Sequence, residues 1–186
     1  MDTKTSLLDA AEKLARRRGF DAFSYADLAQ AVGIRKASIH HHFPTKADLA
    51  LSMVTRYREG FVAELSKIST QHKTAGAQLG AYLALYKSAM DGGEQVCLCI
   101  SFSVSHNSFD AQVLRQVNRF HAESLAWLEF VFEKAALDQT VANVRDPAEE
   151  AQACLALAEG AQLIARASGE MSDFDQAVKL MAARIL

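Results

Sequence analysis

Proline is nearly missing from this chain, with two in 186 residues (Pro44 and Pro147), and only nine glycines accompany them. With so few breakers set among recurring Ala, Leu, Glu, Gln, Lys and Arg, long uninterrupted helices are expected and strand-rich architectures are not. No apolar run approaches the roughly 20 residues that a membrane span requires. The opening segment MDTKTSLLDAAEKLARRRG is charged throughout, unlike a secretory signal. The expectation is a cytoplasmic protein with no membrane partner. Three cysteines, Cys97, Cys99 and Cys154, are odd in number and lack zinc-site spacing, so neither a disulfide framework nor a structural metal is indicated. Nucleophile elbows, glycine-rich phosphate loops and metal motifs are also missing, which speaks against an enzyme and leaves no catalytic residue or cofactor to expect.

What is present is a chain that is 50% hydrophobic, enough to bury a core in one domain or two small ones. The net charge of −2 is unevenly placed. Residues 1–50 hold eight Lys and Arg against six Asp and Glu, leaving twelve against sixteen for the remainder. That balance favours a polyanion at the N-terminal end only weakly, so local clusters have to decide.

Leu7, Leu8, Ala11, Leu14 and Ala15 form one apolar stripe, which predicts a first helix over 3–18 stopped by Gly19. Arg16, Arg17 and Arg18 fall in its last turn, where the helix dipole favours cations. Ser24 is placed to cap a second helix, with Asp27 reaching back to it, Leu28, Ala29 and Val32 facing inward, and Gly33 ending it. A short third helix over 35–42 carries Ile39 and Phe43 on its buried side and stops at Pro44. Thr45 with Asp48 caps a fourth, along which Leu49, Met53, Tyr57, Phe61 and Leu65 recur for about four turns. Further helices are expected near 74–90, 95–105, 108–137, 147–167 and 172–185. Their boundary signals are Gly92-Gly93, Ser108 as a cap, Asp146-Pro147, and a Ser172–Asp175 capping box.

A longer helix followed by two short ones around a glycine turn has the spacing of a helix-turn-helix, whose second short helix enters the DNA major groove. The segment GFDAFSYADLAQAVGIRKASIHHHFPTKADL, residues 19–49, resembles the N-terminal DNA-binding domain of the tetracycline-repressor (TetR) family. The resemblance covers about residues 5–55 and is carried by Gly19-Phe20, Ser24, Asp27-Leu28-Ala29, Val32-Gly33-Ile34, Lys36, Ser38, His41-His42-Phe43-Pro44 and Lys46. It implies an all-α protein with a DNA-binding domain over 1–46 and the helix-turn-helix at about 24–43. A long fourth helix would join this to a ligand-binding and dimerisation domain over 47–186. It further implies a homodimer on double-stranded operator DNA, usually a repressor, released by a small-molecule effector. His40 stands where the family most often has tyrosine, and Arg35 and Ala37 where Ser and Gly are frequent. These departures lie on the face that reads DNA, so the operator sequence does not carry over.

Residues 40, 41 and 42 are each turned about 100° from the last on a helix, so their imidazoles diverge instead of converging on one metal ion. Histidine nitrogens can instead donate to phosphate, which suits His40 and His41, while His42 packs at the corner. Arg35 and Lys36 occupy the helix turn that reaches base edges, Ala37 allows close approach, and Ser38 shares the exposed face. Ser24, Tyr25 and Lys46 complete the expected DNA contacts, Lys46 through phosphate at a helix N-terminus.

In the other half, small residues cover most faces of the helix over 147–167. Paired with the last helix it would give half of a dimeric four-helix bundle, with Ala151, Cys154, Leu155, Ala158, Phe174, Val178 and Met181 at the interface. Aromatic and polar residues between 75 and 140, foremost Phe102, His106, Phe120 and Trp127, are candidates to line a pocket for a mostly apolar effector with one or two polar handles. For each aromatic alone, core packing is the stronger expectation. An alternative of the same fold is a thiol-based redox or electrophile sensor using Cys97 or Cys99. Without a neighbouring Lys or Arg, buried inert thiols are favoured, although His106 could be brought close. A helical adaptor, for which RKASIHHHFPTK is only a solvated basic corner, is the remaining class.

Overall fold

The computed structural model describes residues 2–186. Its helices are α1 (Thr3–Arg18), α2 (Tyr25–Val32), α3 (Lys36–His42), α4 (Lys46–Gln71), α5 (Ala75–Ser88), α6 (Leu98–Val104), α7 (Ala111–Asp138), α8 (Pro147–Ser168) and α9 (Met171–Ala182). Two 3-10 turns, Phe20–Ala22 and His106–Ser108, lie between them, and the only strand-like pairing among the described residues is an isolated bridge between Val141 and Ile185. The fold is all-α.

The chain forms two compact units. Residues up to Glu59 join Leu98–Phe120 in the first; Gly60–Cys97 and His121–Leu186 make the second. This division differs from a boundary at 46/47, because α4 and α7 each begin in the first unit and end in the second. α4 itself spans 26 residues, about seven turns, and Ile68 carries the buried stripe about one turn beyond Leu65.

In the first unit, α1 buries Leu7, Leu8, Ala11 and Ala15 as its spacing predicts. α6 is held in the same core: the Ser101 hydroxyl donates to the Ala15 carbonyl at 2.8 Å. Phe102 stacks on Phe109 (4.3 Å between centroids) and meets Phe20 edge-on at 5.3 Å. Arg56 of α4 pairs with Asp9 (2.7 Å) and Glu12 (3.1 Å) of α1. Two cap expectations are corrected. α7 is capped by Asp110, whose carboxylate accepts from the Gln112 and Val113 amides, while Ser108 donates to Asp21 instead. α9 starts after Glu170, with no side-chain cap, so the proposed Ser172–Asp175 box falls inside the helix.

In the second unit, α5, α8 and α9 pack around Leu79, Tyr82, Phe132, Cys154, Ala158 and Phe174. The start of α5 lies so close to the end of α7 that a Cβ at Gly76 would sit 2.5 Å from the Thr140 carbonyl oxygen. Ala75 and Gly76 amides donate there to Asp138 (2.7 Å) and Thr140 Oγ1 (2.8 Å). Arg184 ties the C-terminal turn to Glu150 (2.7 Å) and to the carbonyls of Ala142 and Asn143.

The seven residues expected at a partner interface serve the chain's own core in this packing. Ala151, Cys154, Leu155, Ala158, Phe174, Val178 and Met181 are all buried inside the single chain. The large apolar side chains that α8 and α9 leave in solvent are Leu163, Ile164 and, at 83% exposure, Leu180.

Candidate nucleic-acid interface

α2 starts on a complete capping box. Ser24 accepts from the Ala26 and Asp27 amides, and the Asp27 carboxylate accepts from the Ser24 amide at 2.7 Å and its hydroxyl at 2.6 Å. These bonds hold the Asp27 carboxyl below its ordinary range. Gly33 closes the helix in the left-handed region (φ 75°), its amide donating to Ala29, and turns the chain into α3. Leu28, Ile39 and Phe43 are buried beneath the turn. α4 opens on a second box, in which Thr45 Oγ1 accepts from the Asp48 amide (3.1 Å) and Asp48 accepts from the Thr45 amide (2.9 Å).

Arg35, Lys36, Ala37, Ser38, His40 and His41 are exposed together at α3, and Arg35 is its N-cap residue without a side-chain capping bond. Lys36 and His40 join Phe23, Ser24, Tyr25, Pro44, Thr45 and Lys46 around an open depression of about 440 Å³. Phe23, Pro44 and Thr45 were not among the residues expected at this surface. Thr45 carried a capping signal alone, and nothing in the spacing shows that its corner forms a wall.

Three expected contacts change role. Tyr25 is buried, and its hydroxyl lies 2.9 Å from the Phe43 carbonyl and 2.6 Å from that of Thr45, sharing its one proton between them. Burial, with Asp48 nearby, pushes this phenol up to about 12. Tyr25 therefore shapes the corner, and its hydroxyl is not available to DNA. Lys46 folds back: its ammonium donates to the Phe20 carbonyl at 2.7 Å and lies over the rings of Phe20 (4.5 Å) and Phe23 (4.7 Å). Burial lowers its pKa, opposed by Asp21 and Asp27. In this arrangement the Lys46 ammonium is engaged within the chain, although its side chain still lines the depression. His40 packs edge-on against Tyr25 at 4.9 Å, and its Nδ1 lies 3.2 Å from the Pro44 carbonyl. With Nδ1–H donated there, Nε2 presents a lone pair in the neutral ring and a donor only in the imidazolium. His41 remains exposed, its ring 5.4 Å from that of half-buried His42.

The four effector candidates do not form one lining within either unit. Phe102 and Phe120 are fully buried core of the first unit, Phe120 lying 6.0 Å from Tyr57, and His106 is exposed in a 3-10 turn. Trp127 belongs to the second unit, stacked on Tyr82 at 5.6 Å with its indole N–H donating to Ser69 at 2.8 Å. Residues whose roles the spacing did not reveal there include Glu159, 3.1 Å from His121, and Gln162, which bridges the Cys97 amide and the Tyr86 carbonyl. All three thiols are buried, and burial pushes that of Cys154 up to about 12.

Residues 7–53, from α1 into α4, match the model of the family described as bacterial regulatory proteins, tetR family. The crystal structure of a TetR-family transcriptional regulator from Agrobacterium tumefaciens superposes with a TM-score of 0.91 at 30% identity, covering 98% of this chain and 96% of that one. A TetR transcriptional regulator from Legionella pneumophila gives 0.87 at 26% identity, covering 100% and 98%. The HTH-type transcriptional repressor KstR2 of Rhodococcus jostii is 26% identical over 103 residues, 55% of this chain; the match spans half the length of that curated relative. Among the described residues no helix is long and apolar enough to cross a membrane. With the capped helix-turn-helix in place and a 30% identical relative matched over nearly its whole length, this chain belongs to the TetR family of bacterial regulatory proteins.

Proposed function

We propose that this protein is a homodimeric, ligand-responsive regulator of transcription that grips a palindromic operator through α3 and is released by a small-molecule effector. The observation that carries this reading is the co-exposure of Arg35, Lys36, Ser38 and His41 on a seven-residue helix, directly after a capped α2 and a left-handed Gly33. Arg35 and Lys36 sit where a recognition helix meets base edges, and Ser38 and His41 are suited to base edge and phosphate respectively. Ser24 and Thr45 are exposed at the helix starts beside it, their hydroxyl protons held by Asp27 and Asp48.

One such head makes too few contacts to define a unique site, so two copies are needed. The exposed Leu163, Ile164 and Leu180 supply the self-complementary apolar surface for pairing, in place of the seven buried residues. An effector bound in the second unit would act through α4 and α7, each continuous with the first unit, by preferring the conformation that misplaces the two heads. Burial of Cys97 and Cys99 shields both thiols from oxidants, so the thiol-sensor alternative gains no support.

The test is a duplex-binding titration over a salt series, followed by footprinting. A regulator of this kind loses affinity steeply with salt and protects two related half-sites about one helical turn, roughly 34–36 Å, or somewhat more apart. A monomer indifferent to every duplex at low ionic strength overturns the reading.

A further inference from the structure

Tyr82 and Tyr86 stand one turn apart on α5, both buried, with ring centroids 4.9 Å apart. Neither hydroxyl has an aligned hydrogen-bond partner. The phenols are close enough to bear on one another, yet a bond between them would use one proton and leave the other with no acceptor. Interiors rarely retain an unmet donor without a reason.

Apart from Gln78 Oε1, a buried acceptor without a partner one turn before Tyr82, the polar groups around the phenols are engaged. Gln162 donates to the Tyr86 carbonyl at 2.6 Å and accepts from the Cys97 amide at 2.7 Å. Glu159 is engaged by His121 at 3.1 Å, and the Trp127 indole by Ser69. Around the two phenols the walls are rings: Trp127 stacks on Tyr82, and Phe61 meets Tyr86 edge-on at 5.9 Å. Met90 shares this core, and Trp127 is only partly buried, so the wall is of the adaptable kind.

We propose that the hydroxyls of Tyr82 and Tyr86 are the polar handle of an effector site in the second unit, donating to the carbonyl oxygen of a neutral, mostly aromatic small molecule seated beside Trp127. A carbonyl oxygen offers two lone pairs to two donors, and the aromatic walls match a flat apolar body. A carboxylate is disfavoured. Glu159, Cys97 and Cys154 bear on the phenols, and His121 is already held by Glu159 at 3.1 Å, so an anion would lose its water beside a carboxylate. This deepens the effector-release reading above and rests on it only for the consequence at DNA.

Calorimetric titration of the full chain with acetophenone, ethylbenzene and benzoate tests the site. The ketone is expected to bind at least about tenfold more tightly than the hydrocarbon that lacks its acceptor, and than the anion. The Tyr82→Phe/Tyr86→Phe double variant is expected to lose that preference and to melt no lower than the parent. Equal affinity for ketone and hydrocarbon, saturable binding of none of the three, or a preference surviving in the double variant would each overturn the proposal. So would a markedly lower melting temperature, which marks the hydroxyls as structural groups satisfied by ordered water. Duplex binding measured on the same samples separates the two readings. Ketone preference without DNA binding defeats the regulator and spares the site, and DNA binding without ketone preference does the reverse.

Discussion

At the scale of single residues, the two lysines of the segment proposed to meet DNA stand in different surroundings. Lys36 is exposed on α3, whereas the Lys46 ammonium is held by the Phe20 carbonyl and two aromatic faces. Lys36→Ala is expected to weaken duplex binding and, if the contact is to phosphate, to lower the salt slope by about one. Lys46→Ala should leave that slope nearly unchanged and reduce thermal stability by about 1 kcal/mol, from lost packing and a lost charge-assisted hydrogen bond; binding titrations at several salt concentrations and melting curves distinguish them. Tyr25→Phe removes the proton shared by the Phe43 and Thr45 carbonyls and should cost about 1–2 kcal/mol in denaturant unfolding. In the second unit, the His121 pKa is raised, chiefly by its hydrogen bond to Glu159 and against the effect of burial. A raised folded-state value contributes stability that is fully present below the unfolded value near 6.5 and is lost as pH rises through the folded one. The stability difference between the parent and Glu159→Gln is therefore expected to be largest at acidic pH, up to about 1 kcal/mol, and to shrink on the alkaline side.

At the scale of elements, the helix-turn-helix depends on its glycine and its caps. Gly33 holds φ 75°, which an L side chain adopts only under strain, so Gly33→Ala should cost about 1 kcal/mol and loosen the angle between α2 and α3. Gly76 makes a different demand: an added Cβ would collide with the Thr140 backbone, and Gly76→Ala should cost about 1–3 kcal/mol. Urea unfolding of both variants checks these values. The N-terminal elements were legible in the chain because each boundary has its own local chemistry: Gly19, the Ser24–Asp27 box, Gly33, and Pro44 followed by Thr45–Asp48. Where the signal was a lone serine, as at Ser108, or a box pattern, as at Ser172–Asp175, the helix started elsewhere, because a serine caps only when the backbone leaves free amides beside it. The recruitment of Lys46 by Phe20 and Phe23 was hidden for another reason, since tertiary folding alone brings residues more than twenty positions apart together. The resemblance identified the surface, and the fold decided which side chains it presents.

At the scale of the whole molecule, the proposed operator recognition depends on pairing of two chains. α8 is lined with small or apolar residues on more than one side, so its sequence did not reveal which stripe serves the chain's own core; burial of Ala151, Cys154 and Ala158 settles that. The outer stripe with Leu163 and Ile164, together with Leu180 on α9, is expected to form the partner surface. The double variant Ile164→Glu/Leu180→Glu should sediment as a monomer, retain its helical circular dichroism, and bind a palindromic duplex at least about a hundredfold more weakly. A variant that remained dimeric would place the interface elsewhere. The capping carboxylates carry a last consequence. Asp27 and Asp48 are exposed at the helix starts flanking α3, negative charges beside the proposed DNA-binding surface. If the proposed surface binds DNA, a phosphodiester brought off-register against either carboxylate would be repelled, which would trade indiscriminate stickiness for faster escape from irrelevant sequence.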